Sequence, residues 1–165
     1  MIKTMLIGLI SDSHDHVRNI GKAVTIFGER NIELVLHAGD FCSPFTIPPF
    51  QGLPLKGVFG NNDGDHYLIL QKFNEIGATH LGGFGELVVN NKTIALYHGT
   101  DVPITEALER CGKYDVVVSG HTHEKGVEFV DNTLAVNPGT AHGFDEEATI
   151  ALLDTKAMDV QFINL

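Results

Sequence analysis

The stretch Met5-Leu6-Ile7-Gly8-Leu9-Ile10-Ser11-Asp12-Ser13-His14 decides the fold. Its first six residues are apolar with no alternation, the pattern of a strand buried on both faces of a parallel sheet. The run then gives way to a carboxylate and an imidazole two residues apart. In open α/β sheets, ligands collect beyond the carboxyl ends of the strands. Side chains leaving one short turn in the same direction can offer an oxygen and a nitrogen to one divalent metal. An isolated Asp-x-His is equally what a helix cap followed by a surface histidine looks like, so the rest of the chain must decide.

Moving outward, Val17, Ile20, Val24 and Phe27 recur at helical spacing and predict a helix to about Asn31, the first half of a βαβ unit. Leu34-Val35-Leu36 reads as a second buried strand. It ends in His37-Ala38-Gly39-Asp40, again a carboxylate at a strand end, where Gly39 permits a tight turn. Pro44, Pro48, Pro49 and Pro54, interleaved with Phe45 and Phe50, mark residues 41–55 as a loop with at most one helical turn and as a candidate site wall. A third strand over 56–59 leads into Gly60-Asn61-Asn62-Asp63-Gly64, which taken alone is a turn or a helix start. Ile69, Phe73 and Ile76 then share one face of a helix stopped by Gly77.

After Gly82-Gly83 the texture changes. Strands over 84–89 and 93–97 flank Asn90-Asn91-Lys92 as a tight hairpin, and the second exits into His98-Gly99. Pro103, Ala107, Leu108 and Cys111 make a short helix closed by Gly112. A buried strand over 115–119 ends in Gly120-His121-Thr122-His123. The last third reads as antiparallel: 126–130 with 133–136 around Asp131-Asn132, then 148–153 with 159–163 around Asp154-Thr155-Lys156. Strands alternate with helices in the first half and form hairpins in the second, with no repeats or linkers. The expected fold is therefore α/β (α+β), one domain over 1–165: a two-sheet β-sandwich of mixed strands flanked by helices on its outer faces.

Composition bounds the function. The chain of 165 residues is 43% hydrophobic, enough for a full core, and carries a formal net charge of −10 from 21 acidic and 11 basic residues. That balance leaves no electrostatic footprint for duplex nucleic acid or an anionic membrane. The apolar N-terminus is interrupted by Lys3 and Asp12, too short to span a bilayer and lacking a cleavage region, so a cytoplasmic location is expected. Cys42 and Cys111 stand in unrelated contexts, which supports neither a zinc knuckle nor a disulfide framework. There is no phosphate-binding G-x-x-x-x-G-K-[ST] loop and no G-x-S-x-G nucleophile elbow.

Five strand ends thus deliver Asp12 and His14, then Asp40, then Asn61, then His98, then His121 and His123. The ordered set D-x-H, G-D, G-N-x-D, H-G and G-H-T-H resembles the calcineurin-like metallophosphoesterase superfamily, from Asp12 to the Asn137-Pro138-Gly139 loop. The small size and the G-N-N-D variant are most similar to its compact archaeal and bacterial phosphodiesterase branch. The resemblance implies the αββα fold of that family and a two-metal centre. Asp12, His14, Asp40 and His123 would hold one ion, and Asp40, Asn61, His98 and His121 the other, with Asp40 bridging. It implies hydrolysis of a phosphate ester, in the first place a diester, by direct attack of a hydroxide bridging two ions about 3.5–4 Å apart. Oxygen and nitrogen donors without thiolate suit Mn²⁺ in the first place, with Ni²⁺, Fe²⁺, Zn²⁺ and Mg²⁺ as alternatives, and suit Ca²⁺ less well. Two divalent ions against two aspartates leave about two positive charges, so an acidic protein can still receive a small phosphorylated substrate.

One position departs from the family pattern. Many relatives read G-N-H-[DE], with a histidine after the ligand asparagine that can protonate a leaving alkoxide or bind phosphate; here that residue is Asn62. An amide can contact a phosphate oxygen but cannot act as a general acid at neutral pH, which favours diesters or activated esters. The alternatives are a phosphomonoesterase on the same site or a non-catalytic protein-docking scaffold. The eukaryotic retromer subunit resembles such a scaffold, having this fold with an eroded site. All seven ligand positions here keep competent side chains, which a scaffold does not need. His16, His37, His66, His80 and His142 are expected to be structural or supporting, with His37 and His142 best placed to touch a ligand. Exposed edge strands would suit a homodimer.

Overall fold

The computed structural model describes residues 5–165. The first strand, β1 (Leu6–Ile10), shows what an apolar run without alternation means in space. Ile7 and Leu9 point into a core between two sheets, while Ile10 packs on the other face with Ile20 and Phe27 of helix α1 (Val17–Glu29). Gly8 lies beneath Phe27, so close that a Cβ there would come within 2.6 Å of the ring. The missing side chain lets the helix lie against the strand.

The remaining strands are β2 (Leu34–His37), β3 (Leu55–Gly57), β4 (Thr79–His80), β5 (Phe84–Val89), β6 (Lys92–Tyr97), β7 (Val116–Val118), β8 (Gly126–Val130), β9 (Thr133–Asn137), β10 (Thr149–Asp154) and β11 (Asp159–Asn164). They form a six-stranded sheet in the order β11-β10-β1-β2-β3-β4 and a five-stranded sheet in the order β5-β6-β7-β9-β8. Both are mixed. β1 through β4 run parallel while β10 and β11 are antiparallel to their neighbours, and β6, β7 and β9 run parallel between two hairpin strands. The sheets face each other across Leu9, Leu36, Ile94, Leu96, Val118 and Leu153. Helices α1 and α2 (His66–Glu75) cover the outer face of the larger sheet, and α3 (Val102–Arg110) packs through Leu108 near Ala95 and Val117 on that of the smaller. This is the two-sheet sandwich flanked by helices that strand and helix order implied.

Several details differ from the pattern reading. Helix α1 stops at Glu29 because Asn31 turns left-handed, φ 51°, on the way to β2. β3 ends at Gly57, two residues early, because Phe59 N–H bonds Gly82 rather than a neighbouring strand of its ladder. The loop over 41–55 holds two 3₁₀ turns, Pro44–Thr46 and Pro48–Phe50, where at most one was expected. Each starts at a proline, whose fixed φ suits the first helical position and whose absent N–H has no partner to lose there. The two-residue β4 is too short to show a period. The first hairpin closes through Asn90 and Asn91 alone, at φ 51° and 63°, the left-handed pair that a two-residue turn of matching twist requires. Among the described residues no helix is long and apolar enough to cross a membrane.

Parallel pairing has one consequence for chemistry. β1, β2 and β3 point the same way, so the loops that follow them open on one edge of the large sheet. The loops after β6 and β7, themselves parallel, meet them there: Gly120 N–H bonds His98 O, and His98 Nδ1 bonds Ala38 O.

Candidate metal centre

Among the non-glycine residues at this edge with left-handed backbones are Asp12 (φ 52°), His14 (37°), Asp40 (58°), His121 (69°) and His123 (64°). Such conformations cost about 1–3 kcal/mol each and persist only where the surroundings over-determine them. Here neighbouring loops do so. Asp12 N–H bonds Gly39 O at 3.0 Å, His14 N–H bonds Asp40 O at 3.1 Å, and Asp12 O accepts from Thr140 Oγ1 and His142 N–H, each at 3.0 Å.

The two carboxylates lie at the centre and are buried. Asp12 Oδ2 accepts from Ser11 Oγ at 2.5 Å and from His121 N–H at 3.0 Å. Its Oδ1 has no hydrogen-bond partner and instead faces His123 Nε2 at 3.2 Å and His14 Nε2 at 3.7 Å. Asp40 Oδ1 accepts Asn62 N–H and Oδ2 accepts the Asn62 amide, both at 2.8 Å. Oδ2 also lies 3.2 Å from His14 Nε2 and 3.4 Å from His98 Nε2. Because His98 Nδ1 donates to Ala38 O at 2.8 Å, its Nε2 lone pair is left facing Asn61 Oδ1 at 3.0 Å.

These are acceptors pointed at acceptors. Asp12 Oδ1 with His14 and His123 forms one converging set, and the Asp40 and Asp12 carboxylates with His98 form a second. Lone pairs crowded like this repel unless a proton or a cation lies between them. The field has the matching sign. The Asp12 and Asp40 carboxylates beside it push His14 up to about 9, and the Asp40 contact raises His98 above its ordinary value although burial opposes it. Burial would raise Asp12 and Asp40, yet the hydrogen bonds they receive hold both carboxyls below the usual range. Two unpartnered, buried donor atoms of the types divalent ions accept, Asp12 Oδ1 and His14 Nε2, fit a metal centre.

The structure therefore brings Asp12, His14, Asp40, Asn61, His98 and His123 into atom-to-atom contact. His121 joins them differently, through its backbone N–H on Asp12 and a ring 5.2 Å edge-on from that of His98. The Asn62 amide turns inward onto Asp40. His37 lies behind the site, its Nδ1 accepting Gly39 N–H and its Nε2 3.1 Å from Ser13 Oγ; burial pushes it down to about 3, so it stays neutral. The His142 ring lies 6.3 Å from that of His14. His16 caps α1, while His66 and His80 pack on Phe59. Cys42 approaches His14 Nδ1 at 3.4 Å, but burial pushes its thiol up to about 12 and keeps it protonated.

Asp63 is the residue the turn reading undervalued. It is buried and accepts three backbone N–H groups, Gly60 at 2.7 Å, Cys42 at 2.8 Å and Asp40 at 3.2 Å, so it ties the loop bearing Asp40 to the loop bearing Asn61. Its signal was an aspartate closing a Gly-flanked turn, where a carboxylate reaches back to main-chain N–H groups.

Glycine sets the closeness of approach. A Cβ on Gly120 would lie 1.9 Å from Ser11 Oγ and 2.6 Å from Asp12 Oδ2, and one on Gly60 would lie 2.1 Å from Asp40 Oδ1. Gly120→Ala must displace Asp12. Since misplacing a reacting group by about 1 Å can cost ~10²-fold, a loss of that order is expected in metal-activated ester hydrolysis, with the circular dichroism spectrum unchanged. Full activity in the variant would show that the Asp12 carboxylate is not needed where it stands.

A two-sheet sandwich whose strand ends gather aspartate, histidine and asparagine around converging lone pairs defines the class of metal-dependent phosphoesterases. The family model of the calcineurin-like phosphoesterase superfamily domain matches residues 5–158. A phosphodiesterase of Methanocaldococcus jannaschii is 37% identical over 165 residues, covering 98% of this chain and 99% of that protein. A solved archaeal phosphodiesterase superposes with a TM-score of 0.93 at 36% identity, over 98% of this chain and all of the other. A Vps29 from Entamoeba histolytica, solved with Zn²⁺, shares the fold at a TM-score of 0.64 and 20% identity, over 98% of each chain. The chain belongs to the calcineurin-like phosphoesterase superfamily.

Proposed function

We propose that the chain is a dinuclear-metal phosphodiesterase acting on a small phosphorylated substrate, with Mn²⁺ as the preferred ion. The observation that carries this reading is the pair of acceptor sets converging on Asp12 Oδ1 and Asp40 Oδ2. Asp12, His14, Asp40 and His123 would hold one ion; Asp40, Asn61, His98 and His121 would hold the other. Two divalent ions so held supply Lewis-acid charge for the phosphoryl oxygens and an activated water as nucleophile.

The protein's own groups do the rest. Ala38 O fixes the His98 tautomer that leaves Nε2 free, and Ser11 and His121 N–H occupy one oxygen of Asp12 so that the other faces the centre. Asn62 steadies Asp40 with two donors but offers no proton to a leaving group at neutral pH, which favours diesters and activated esters over alkyl monoesters. The scaffold alternative leaves these aligned donors without a use. The same reading takes residues 1–165 as one domain at work in the cytoplasm, with edge strands β5 and β8 available for pairing between copies.

The test is metal removal. Exhaustively chelated protein should lose turnover of bis(p-nitrophenyl) phosphate, and Mn²⁺ or Ni²⁺ should restore it. Undiminished turnover in protein shown metal-free by elemental analysis would sink the mechanism.

A further inference from the structure

His123, half-buried at the rim of the site, lacks what holds the buried imidazoles. His98 is fixed by Ala38 O and His37 by Gly39 N–H and Ser13, but among the described residues the Nδ1 of His123 has no hydrogen-bond partner. A ligating histidine is normally oriented by a bond at its other ring nitrogen. What the His123 ring has instead is Phe144, parallel to it within 12° at a centroid distance of 4.7 Å. The same phenyl ring stacks on His142 at 4.1 Å and meets the His14 ring edge-on at 5.0 Å.

Burial does not explain Phe144, which is 51% exposed, and its backbone is left-handed at φ 45°, an unfavourable state for a bulky residue. The turn that holds it there is tied to the site. Thr140 Oγ1 accepts Gly143 N–H while donating to Asp12 O, His142 Nδ1 accepts Phe144 N–H, and Asn19 from α1 holds Ala141 O. One turn thus grips the Asp12 backbone and lays an aromatic ring against His123.

Resting on the reading of this site as a metal centre, we propose that Phe144 is a positioning residue: its ring orients His123, and so sets the affinity of the Asp12, His14 and His123 pocket for a divalent ion.

The experiment is calorimetric titration of metal-free protein with Mn²⁺ alone, for wild type, Phe144→Ala, Phe144→Leu, Phe144→Trp and, as a reference, His123→Ala. Loss of a group that orients a ligand typically weakens metal binding ~10–100-fold, so Phe144→Ala and Phe144→Leu should weaken one of two binding steps about tenfold and leave the other in place. Phe144→Trp, which restores a planar ring, should recover the wild-type isotherm. Identical isotherms for wild type and Phe144→Ala would overturn the proposal. So would loss of both steps together with a lowered melting temperature in Ala and Leu alike, since that marks a role in folding only. A wild type that takes up no Mn²⁺, or uptake indifferent to His123→Ala, would overturn the metal-centre reading itself, a failure visible without the Phe144 variants.

Discussion

Asp40→Asn is expected to leave a folded protein whose metal-activated hydrolysis of bis(p-nitrophenyl) phosphate falls by ~10²–10⁴-fold, the several kcal/mol of transition-state stabilisation that a metal clamp supplies at 1.36 kcal/mol per tenfold. The size follows from position. Asp40 Oδ2 lies 3.2 Å from His14 Nε2 and 3.4 Å from His98 Nε2, so this carboxylate joins the two acceptor sets, and an amide there would put a donor and no charge between them. Asp63→Asn is the contrast. Asp63 touches only main-chain N–H groups, and its amide could keep some of those bonds through its one remaining oxygen. A loss of ~10–100-fold is expected, the scale for groups that orient ligands, larger than a plain turn residue would give and smaller than for Asp40. Circular dichroism of both variants separates a lost ligand from a collapsed fold. Equal losses in two folded proteins would show that Asp40 is not the shared ligand.

The difference between these two aspartates also marks how far the sequence could be read. That Asp12, His14, Asp40, Asn61, His98 and His123 meet at one sheet edge was legible because each follows an apolar strand, and a parallel strand's end is where a polar side chain has no packing role. The double burial of β1 was legible for a related reason: a run without alternation has no face to show to water, as Gly8 under Phe27 and Leu9 between the sheets confirm. Only part of what Asp63 does was legible: its bond to Gly60 N–H belongs to the turn, but its bonds to the main chain of Asp40 and Cys42, more than 20 residues away in sequence, leave no trace in residue type. The destinations of the C-terminal hairpins were hidden likewise. β8 with β9 completes the small sheet while β10 with β11 returns beside β1, a choice made by which core each strand fills, Leu134 against Leu96 or Ile150 against Ile20. Phe144 fell in a turn with no period at all, and only its ring contacts give it meaning.

Asn62→His is expected to raise turnover of alkyl phosphate esters by ~10²-fold or more while changing aryl esters little, because general-acid assistance is worth ~10²–10⁴-fold and matters most where the departing oxygen is most basic. Asn62 lies exposed at the edge of the site, beside Asp40, so an imidazole there, of a type whose unperturbed pKa is about 6.5, would bring a group able to give a proton near neutrality. The substitution also removes something. The Asn62 amide donates to Asp40 Oδ2 at 2.8 Å, although the backbone N–H of the same residue would still hold Oδ1. Losing the amide bond lowers the rates of all esters together, whereas a gained proton donor lifts only those with poor leaving groups. The two effects therefore separate in a Brønsted series: the first shifts the line and the second flattens it. Wild type should show a steep dependence on leaving-group pKa, with alkyl monoesters cleaved worst, and Asn62→His a shallower one. A shallow slope in wild type would mean that another group already delivers the proton, and the preference for diesters would then need a cause other than Asn62.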